Sequence, residues 1–138
     1  MTSTSAPVVL VTSRSFSSGD IDCQRWLTDA GLRVVRASHA HDLDELAPAL
    51  GEAVAWIAGT GPVTAEHLDA APRLRVVARY GVGVDSVDLN AAAERGITVT
   101  NTPGANSDAV ADLAITLLLT ALRGVPTADR DVRAGRWR

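Results

Sequence analysis

The residues best suited to chemistry lie in the middle of the chain. Arg79-Tyr80-Gly81-Val82-Gly83-Val84-Asp85-Ser86 follows an apolar run and precedes a helical pattern. Glycines at alternate positions let backbone N–H groups turn toward a small anion with no side chain in the way. A loop at the carboxyl end of a strand is also where open α/β sheets bind ligands. The same residues serve equally well as a tight strand-to-helix turn, and residue types alone leave the two readings side by side. A dinucleotide fingerprint is disfavoured. Ser86 stands where its third glycine belongs, and no acidic residue ends the next strand, where one would hold a ribose. Arg79 suits a carboxylate or phosphate, or is a surface charge at a strand end.

Other candidates carry plainer readings. Asp85 and Asp88 stand at the start of a helix, where carboxylates stabilise the positive end of its dipole. Asn106 precedes the longest helical pattern and suits an N-cap; Ser107 would do that work equally well and leave the Asn106 amide free. Taken alone, capping is the better reading. His39 and His41 share a polar stretch, and His67 has no ligand partner one turn on, so all three are expected to be solvated surface histidines rather than a metal site. Cys23 is the only cysteine, which excludes an intramolecular disulfide, and it is expected to pack on a helix.

The elements that must position these residues follow from apolar periodicity. Strands are expected at Val8–Thr12, Leu32–Val35, Val54–Ala58, Leu74–Ala78 and Ile97–Thr100. Helices are expected over Asp20–Ala30, with Ile21, Trp26, Leu27 and Ala30 on one face, and from Asp42 to Leu50. Two more are expected over Thr64–Ala70, with a weak Thr-x-x-His start, and over Val87–Arg95. Gly31, Gly51 and Gly96 close three of them, and Gly59-Thr60-Gly61-Pro62 is an exit loop. Five apolar strands separated by helices predict a parallel, doubly wound α/β sheet covered on both faces.

After the breaker cluster Asn101-Thr102-Pro103-Gly104 the character changes. The pattern predicts one long helix over Ser107–Arg123, followed by a charged segment, Thr127–Arg138. Val110, Leu113, Ala114, Leu117, Leu118 and Ala121 form one stripe, and Ile115, Leu119 and Leu122 a second. A helix so apolar around its girth needs cover on more than one side.

Composition narrows the function classes. The 138 residues are 46% hydrophobic and 21% charged, with a net charge of −3, so a packed core is affordable in entropy terms. No basic patch favours nucleic acid. No apolar run suits a membrane span, and no signal-peptide pattern opens the chain, so the expected compartment is the cytoplasm.

Two stretches carry a family resemblance: Val76-Val77-Ala78-Arg79-Tyr80-Gly81-Val82-Gly83-Val84-Asp85-Ser86-Val87-Asp88-Leu89, and Gly96 through Asp112, which includes Asn101-Thr102-Pro103-Gly104-Ala105-Asn106. With Ala134-Gly135-Arg136-Trp137, they resemble the D-isomer-specific 2-hydroxyacid dehydrogenases, the phosphoglycerate dehydrogenase-like family. The resemblance implies a flavodoxin-like doubly wound substrate domain over residues 1–101. It also implies the crossing helix and start of a Rossmann NAD-binding domain over 102–138. The implied substrate is a small 2-hydroxy or 2-oxo acid, 3-phosphoglycerate-like acids included. The Val82 and Gly83 amides would grip its carboxylate, Asn106 would touch it, and Arg79 stands beside them.

The implied cofactor is NAD, and the implied assembly is a homodimer through the helix 107–123. The family's catalytic Arg, Glu and His have no counterpart in these residues, so the chain by itself is expected to be inactive and to bind NAD weakly. Two departures stand out: Asp112 replaces the usual Glu, and Gly59-Thr60 stands where phosphoglycerate-specific members place an Arg. The rival reading is a stand-alone anion-binding or interaction module without catalysis.

Overall fold

Short apolar and β-branched runs suit strands buried on both faces, and they form one sheet here. In the computed structural model, which describes residues 6–137, β1 spans Val8–Val11, β2 Arg33–Arg36, β3 Ala53–Ala58, β4 Val76–Arg79 and β5 Thr98–Thr100. All neighbours pair in parallel, in the order β2-β1-β3-β4-β5. This is the flavodoxin-like order, and it bears out the expected α/β fold. The chain steps from β1 out to β2, then returns to lay β3 on the other side of β1. The topological switch point therefore lies between the carboxyl ends of β1 and β3.

Helices α1 (Cys23–Asp29), α2 (Leu43–Leu50), α3 (Ala65–Asp69) and α4 (Leu89–Glu94) fill the gaps between strands. Asp22, Asp42 and Asp88 each accept a backbone N–H from three residues on, satisfying donors that a helix start leaves unpaired. Two helices consequently begin later than the periodicity predicts. The first opens at Cys23 rather than Asp20. The fourth opens at Leu89 rather than Val87, because Val87 is buried in a bridge to Val63.

The expected apolar face of α1 is corrected as well. Cys23 and Leu27, one turn apart, pack on Val9, Val11 and Phe16, whereas Ile21, Trp26 and Ala30 are exposed. Ile21 lies before the cap, and a helix of seven residues has room for only one such contact pair. On the opposite face of the sheet, Leu10, Trp56 and Val77 meet Leu46 and Leu50 of α2 and Leu68 of α3. A Leu side chain as fully buried as Leu46 or Leu50 contributes about 1.5–3 kcal/mol relative to exposure.

The residues form two compact units, one ending at Pro103 and one beginning at Gly104. The second contains α5 (Ser107–Leu122) and α6 (Val125–Arg133), which meet at a bend of 61°. The charged tail expected after Pro126 is thus largely helical. Gly124 takes the left-handed conformation that ends α5, and Pro126 falls in the first turn of α6, where a missing N–H costs nothing. Arg133 pairs with Asp129 one turn earlier. Both apolar stripes of α5 are solvent-facing, with Val110, Leu113, Ile115, Leu117, Leu118, Leu119 and Leu122 between 55% and 72% exposed. Among the described residues no single helix is long and apolar enough to cross a membrane.

Candidate functional site

The glycine loop leaves β4 at the carboxyl edge of the sheet, as its sequence position requires. Its ends are tied down. Tyr80 N–H donates to Ala58 O at 2.9 Å, Gly81 N–H to Arg79 O at 2.8 Å and Val87 N–H to Val84 O at 2.9 Å. From the end of β5, Thr102 N–H donates to Gly81 O at 3.0 Å, and Asn101 Nδ2 donates to Val82 O at 2.6 Å. Between these anchors, among the described residues, the N–H groups of Val82, Gly83, Val84, Asp85 and Ser86 have no partner. Such a run of unpaired backbone donors suits an anion, and the Asp85 carboxylate of the same loop lies beside Gly83, 2.7 Å from where a Cβ would stand. Asn101 is a positioning residue that sequence reasoning missed; its position at the end of the neighbouring parallel strand was the available signal.

Arg79 is the last residue of β4 and is half-buried. Its side chain curls over Gly81: Nη1 donates to Tyr80 O, and a Cβ on Gly81 would lie 2.4 Å from that same nitrogen. Its Nε is buried without a partner. A buried guanidinium nitrogen lacking an acceptor is costly. Arg79 thus adds unsatisfied positive charge beside the free amides.

Below the loops, at the switch point, lies a buried polar knot. Thr12 follows β1 directly, and its hydroxyl makes three contacts. It accepts from Trp56 Nε1 at 2.9 Å and from Gly59 N–H at 3.3 Å, and it lies 2.6 Å from His41 Nε2. Pro62 O, 2.8 Å from His41 Nδ1, can only accept. His41 therefore carries its proton on Nδ1, and the Thr12 hydroxyl donates to Nε2. Thr64 N–H donates to His67 Nδ1 at 3.2 Å, so His67 carries its proton on Nε2 and donates to His41 O at 2.9 Å.

Burial disfavours charge on His41 and holds its pKa below the ordinary imidazole value; the Pro62 carbonyl pulls the other way, and His67, His39 and Arg79 add small repulsions. The expectation of three solvated histidines is overturned for His41 and His67, which are 3% and 5% exposed. His39 alone is exposed. Trp56, alone in a buried strand, was the missed signal, since a buried indole N–H needs an acceptor.

The two glycines of the exit loop belong to this knot. A Cβ on Gly59 would lie 2.6 Å from Thr12 O, and one on Gly61 would lie 2.5 Å from Cγ of His41. His67 also strengthens the Thr-x-x-His start beyond expectation, since its ring accepts the Thr64 N–H as a capping Glu would.

The fit of a dinucleotide to the Gly81–Ser86 loop is poor. Asp88 already places a carboxylate on the start of α4, accepting from Ala91 N–H at 2.9 Å, and would repel a pyrophosphate there. Arg79 packs over Gly81, where a close backbone approach would be needed. In the second unit, Asn106 occupies the cap position of α5, but its side chain makes no cap hydrogen bond. The capping role favoured from sequence is therefore corrected, and the amide is left available.

Comparison with known proteins adds to this geometry. Residues 9–132 match the model of the D-isomer specific 2-hydroxyacid dehydrogenase catalytic domain. A glyoxylate reductase of Korarchaeum cryptofilum is 52% identical over 79 residues, covering 57% of this chain and 24% of that protein. A D-3-phosphoglycerate dehydrogenase of Archaeoglobus fulgidus is 51% identical over 75 residues, 54% of this chain and 14% of the other. The crystal structure of an NAD-dependent formate dehydrogenase from Staphylococcus aureus, in complex with NAD, superposes with a TM-score of 0.77 at 25% identity, covering 95% of this chain and 43% of that one. The chain thus spans about a quarter or less of the two relatives' length.

Proposed function

The chain belongs to the D-isomer-specific 2-hydroxyacid dehydrogenase family, and on that premise we propose that it is the acid-holding part of an NAD-dependent enzyme acting at C2 of a small D-2-hydroxy acid. The observation that carries this reading is the run of unpaired N–H groups from Val82 to Ser86 at the carboxyl end of β4. The Val82 and Gly83 amides hold the substrate carboxylate with fixed dipoles, which need no side-chain ordering. Arg79 adds positive potential beside them and gains an acceptor for its buried donor. The family resemblance adds Asn106 as a contact of the acid, and its side chain makes no cap hydrogen bond.

Residues 1–101 form the substrate domain in this reading, and 102–138 begin the NAD-binding domain. NAD, when bound, accepts the hydride; the described residues hold the acid rather than the dinucleotide. A second copy of the chain covers α5, whose exposed leucines would each contribute about 1.5–3 kcal/mol on full burial.

Titration of the 138-residue chain with D-glycerate, followed by amide NMR, tests the reading. The largest shifts are expected at Val82 to Ser86. Shifts confined to other segments, or none at tens of millimolar acid (roughly the weakest binding such a contact would give), would overturn it.

A further inference from the structure

The glycine loop leaves the carboxyl end of β4, and a second concentration of positive charge lies at the amino end of the same strand. A cleft of about 650 Å3 opens there, lined by Arg73, Arg75 and Arg95 together with Val54, Pro72 and Thr98. The chain as a whole carries a net charge of −3, yet among the described residues nothing acidic lines this cleft. The three arginines belong to two separate segments, so no basic run marks the place in the sequence.

Leu74 sets the arrangement. It is drawn into the core, while Arg73 and Arg75 on either side of it stay exposed. Alternation of this kind turns both arginines away from the core. The backbone of Arg75 is pinned between two strands: its N–H donates to Val54 O at 2.9 Å, and its carbonyl accepts from Thr98 N–H at 3.0 Å. Arg95 ends α4. Its Nε donates to Asp69 Oδ1 at 2.8 Å and its Nη1 to Ala91 O at 2.8 Å, which fixes the guanidinium and leaves it further N–H donors.

Asp69 balances Arg95, but Arg73 and Arg75 have no carboxylate partner among the described residues. Glu52, which shares a neighbouring cleft with Arg73, is committed to Arg33. Like charges gathered in one concavity repel each other and focus a positive potential in it. Two uncompensated guanidinium groups match a dianion, and a phosphate monoester carries about −1.5 to −2 at neutral pH, with three oxygens for forked donors. A cleft of this size suits a small ligand rather than a polymer.

We infer that the amino end of the sheet is a binding site for a phosphate dianion, free or as the monoester of a small metabolite. It is separate from the carboxylate grip and does not rest on that reading. Arg75 and Arg79 are separated by the length of β4, roughly 13 Å at about 3.3 Å per residue. A phosphate held at Arg73 and Arg75 therefore leaves room for an acid at Val82 and Gly83.

The test titrates the 138-residue chain with inorganic phosphate and with AMP, followed by amide NMR at an ionic strength held constant with sodium chloride. Saturable shifts are expected at Arg73, Leu74, Arg75, Gly96 and Thr98. Tighter binding of AMP identifies the ester as the occupant, and equal affinity identifies free phosphate. Arg73→Gln and Arg75→Gln, both at exposed positions, should each weaken binding about tenfold, the scale of one charge-assisted contact near the surface. Asp69→Asn, which frees Arg95 of its counter-charge, should tighten it. No saturable shift at these residues with either probe at tens of millimolar (roughly the weakest binding such contacts would give) overturns the inference. So does an affinity that survives the double substitution of Arg73 and Arg75. D-glycerate, a monoanion, reports on Val82–Ser86 separately, and its failure there would defeat the grip while leaving this site intact.

Discussion

His41 carries the clearest single-residue consequence. It is buried, neutral and committed on both ring nitrogens, to Pro62 O and to the Thr12 hydroxyl. Protonating Nε2 would set it against a hydroxyl that already accepts from Trp56 and Gly59. Its folded pKa lies below the ordinary value of 6.5, so the unfolded chain takes up the proton first as pH falls. The stability His41 contributes is therefore complete above about pH 6.5 and is lost as pH drops through the folded value. The urea midpoint should fall between pH 7.5 and 5.5. In His41→Asn, which also tolerates the left-handed backbone of this position, that part of the fall should vanish. An identical pH profile in the variant would show that the acid sensitivity lies elsewhere.

At the scale of elements, the exits of β1 and β3 are held close by the absence of a side chain. The Cβ of Gly59→Ala would stand 2.6 Å from Thr12 O and 3.2 Å from Ser13 Cα, both backbone atoms that cannot swing aside. Overpacking of this kind costs about 1–3 kcal/mol, and the upper end is expected here. Equilibrium denaturation measures it, and an unchanged midpoint would mean that the two strand ends can part freely. Helix α5 poses the opposite problem, an excess of uncovered apolar surface. A homodimer through α5 should sediment as such at tens of micromolar, roughly where a large apolar contact holds. Leu118→Asp should shift it toward monomer or aggregate. A clean monomer for the unsubstituted chain would rule out that pairing.

For the whole molecule, holding an acid and oxidising it are separate tasks. The Gly81–Ser86 loop carries a run of unpaired amides, with the Asp88 carboxylate at the start of the helix that follows and Arg79 packed over Gly81. The 138-residue chain is therefore expected to consume no NADH with any small 2-oxo acid, read as absorbance at the nicotinamide band. Calorimetry with NAD should likewise show no tight, saturable binding. Turnover that persisted through repeated purification would require a base and a nicotinamide site among residues read here as structural.

The sheet, its parallel sense and the position of the glycine loop were legible in the chain, because they depend on local signals. Apolar runs about twenty residues apart, Asp at helix starts and Gly at helix ends act within a few residues of themselves. The family resemblance was legible for the same reason, since its motifs are contiguous. The buried knot was not. Thr12, His41, Trp56 and His67 come from four separate segments up to 55 residues apart, and each alone reads as ordinary surface or strand (a separation taken from their numbering). Only the crossover that sets β3 beside β1 brings them together. Once they meet in the core, every polar atom must find a partner, and that requirement makes two histidines interior. The same crossover gathers Arg14, His39 and Thr60 around one cavity. Residue types determined what each strand exit offers, and tertiary structure decided which exits meet.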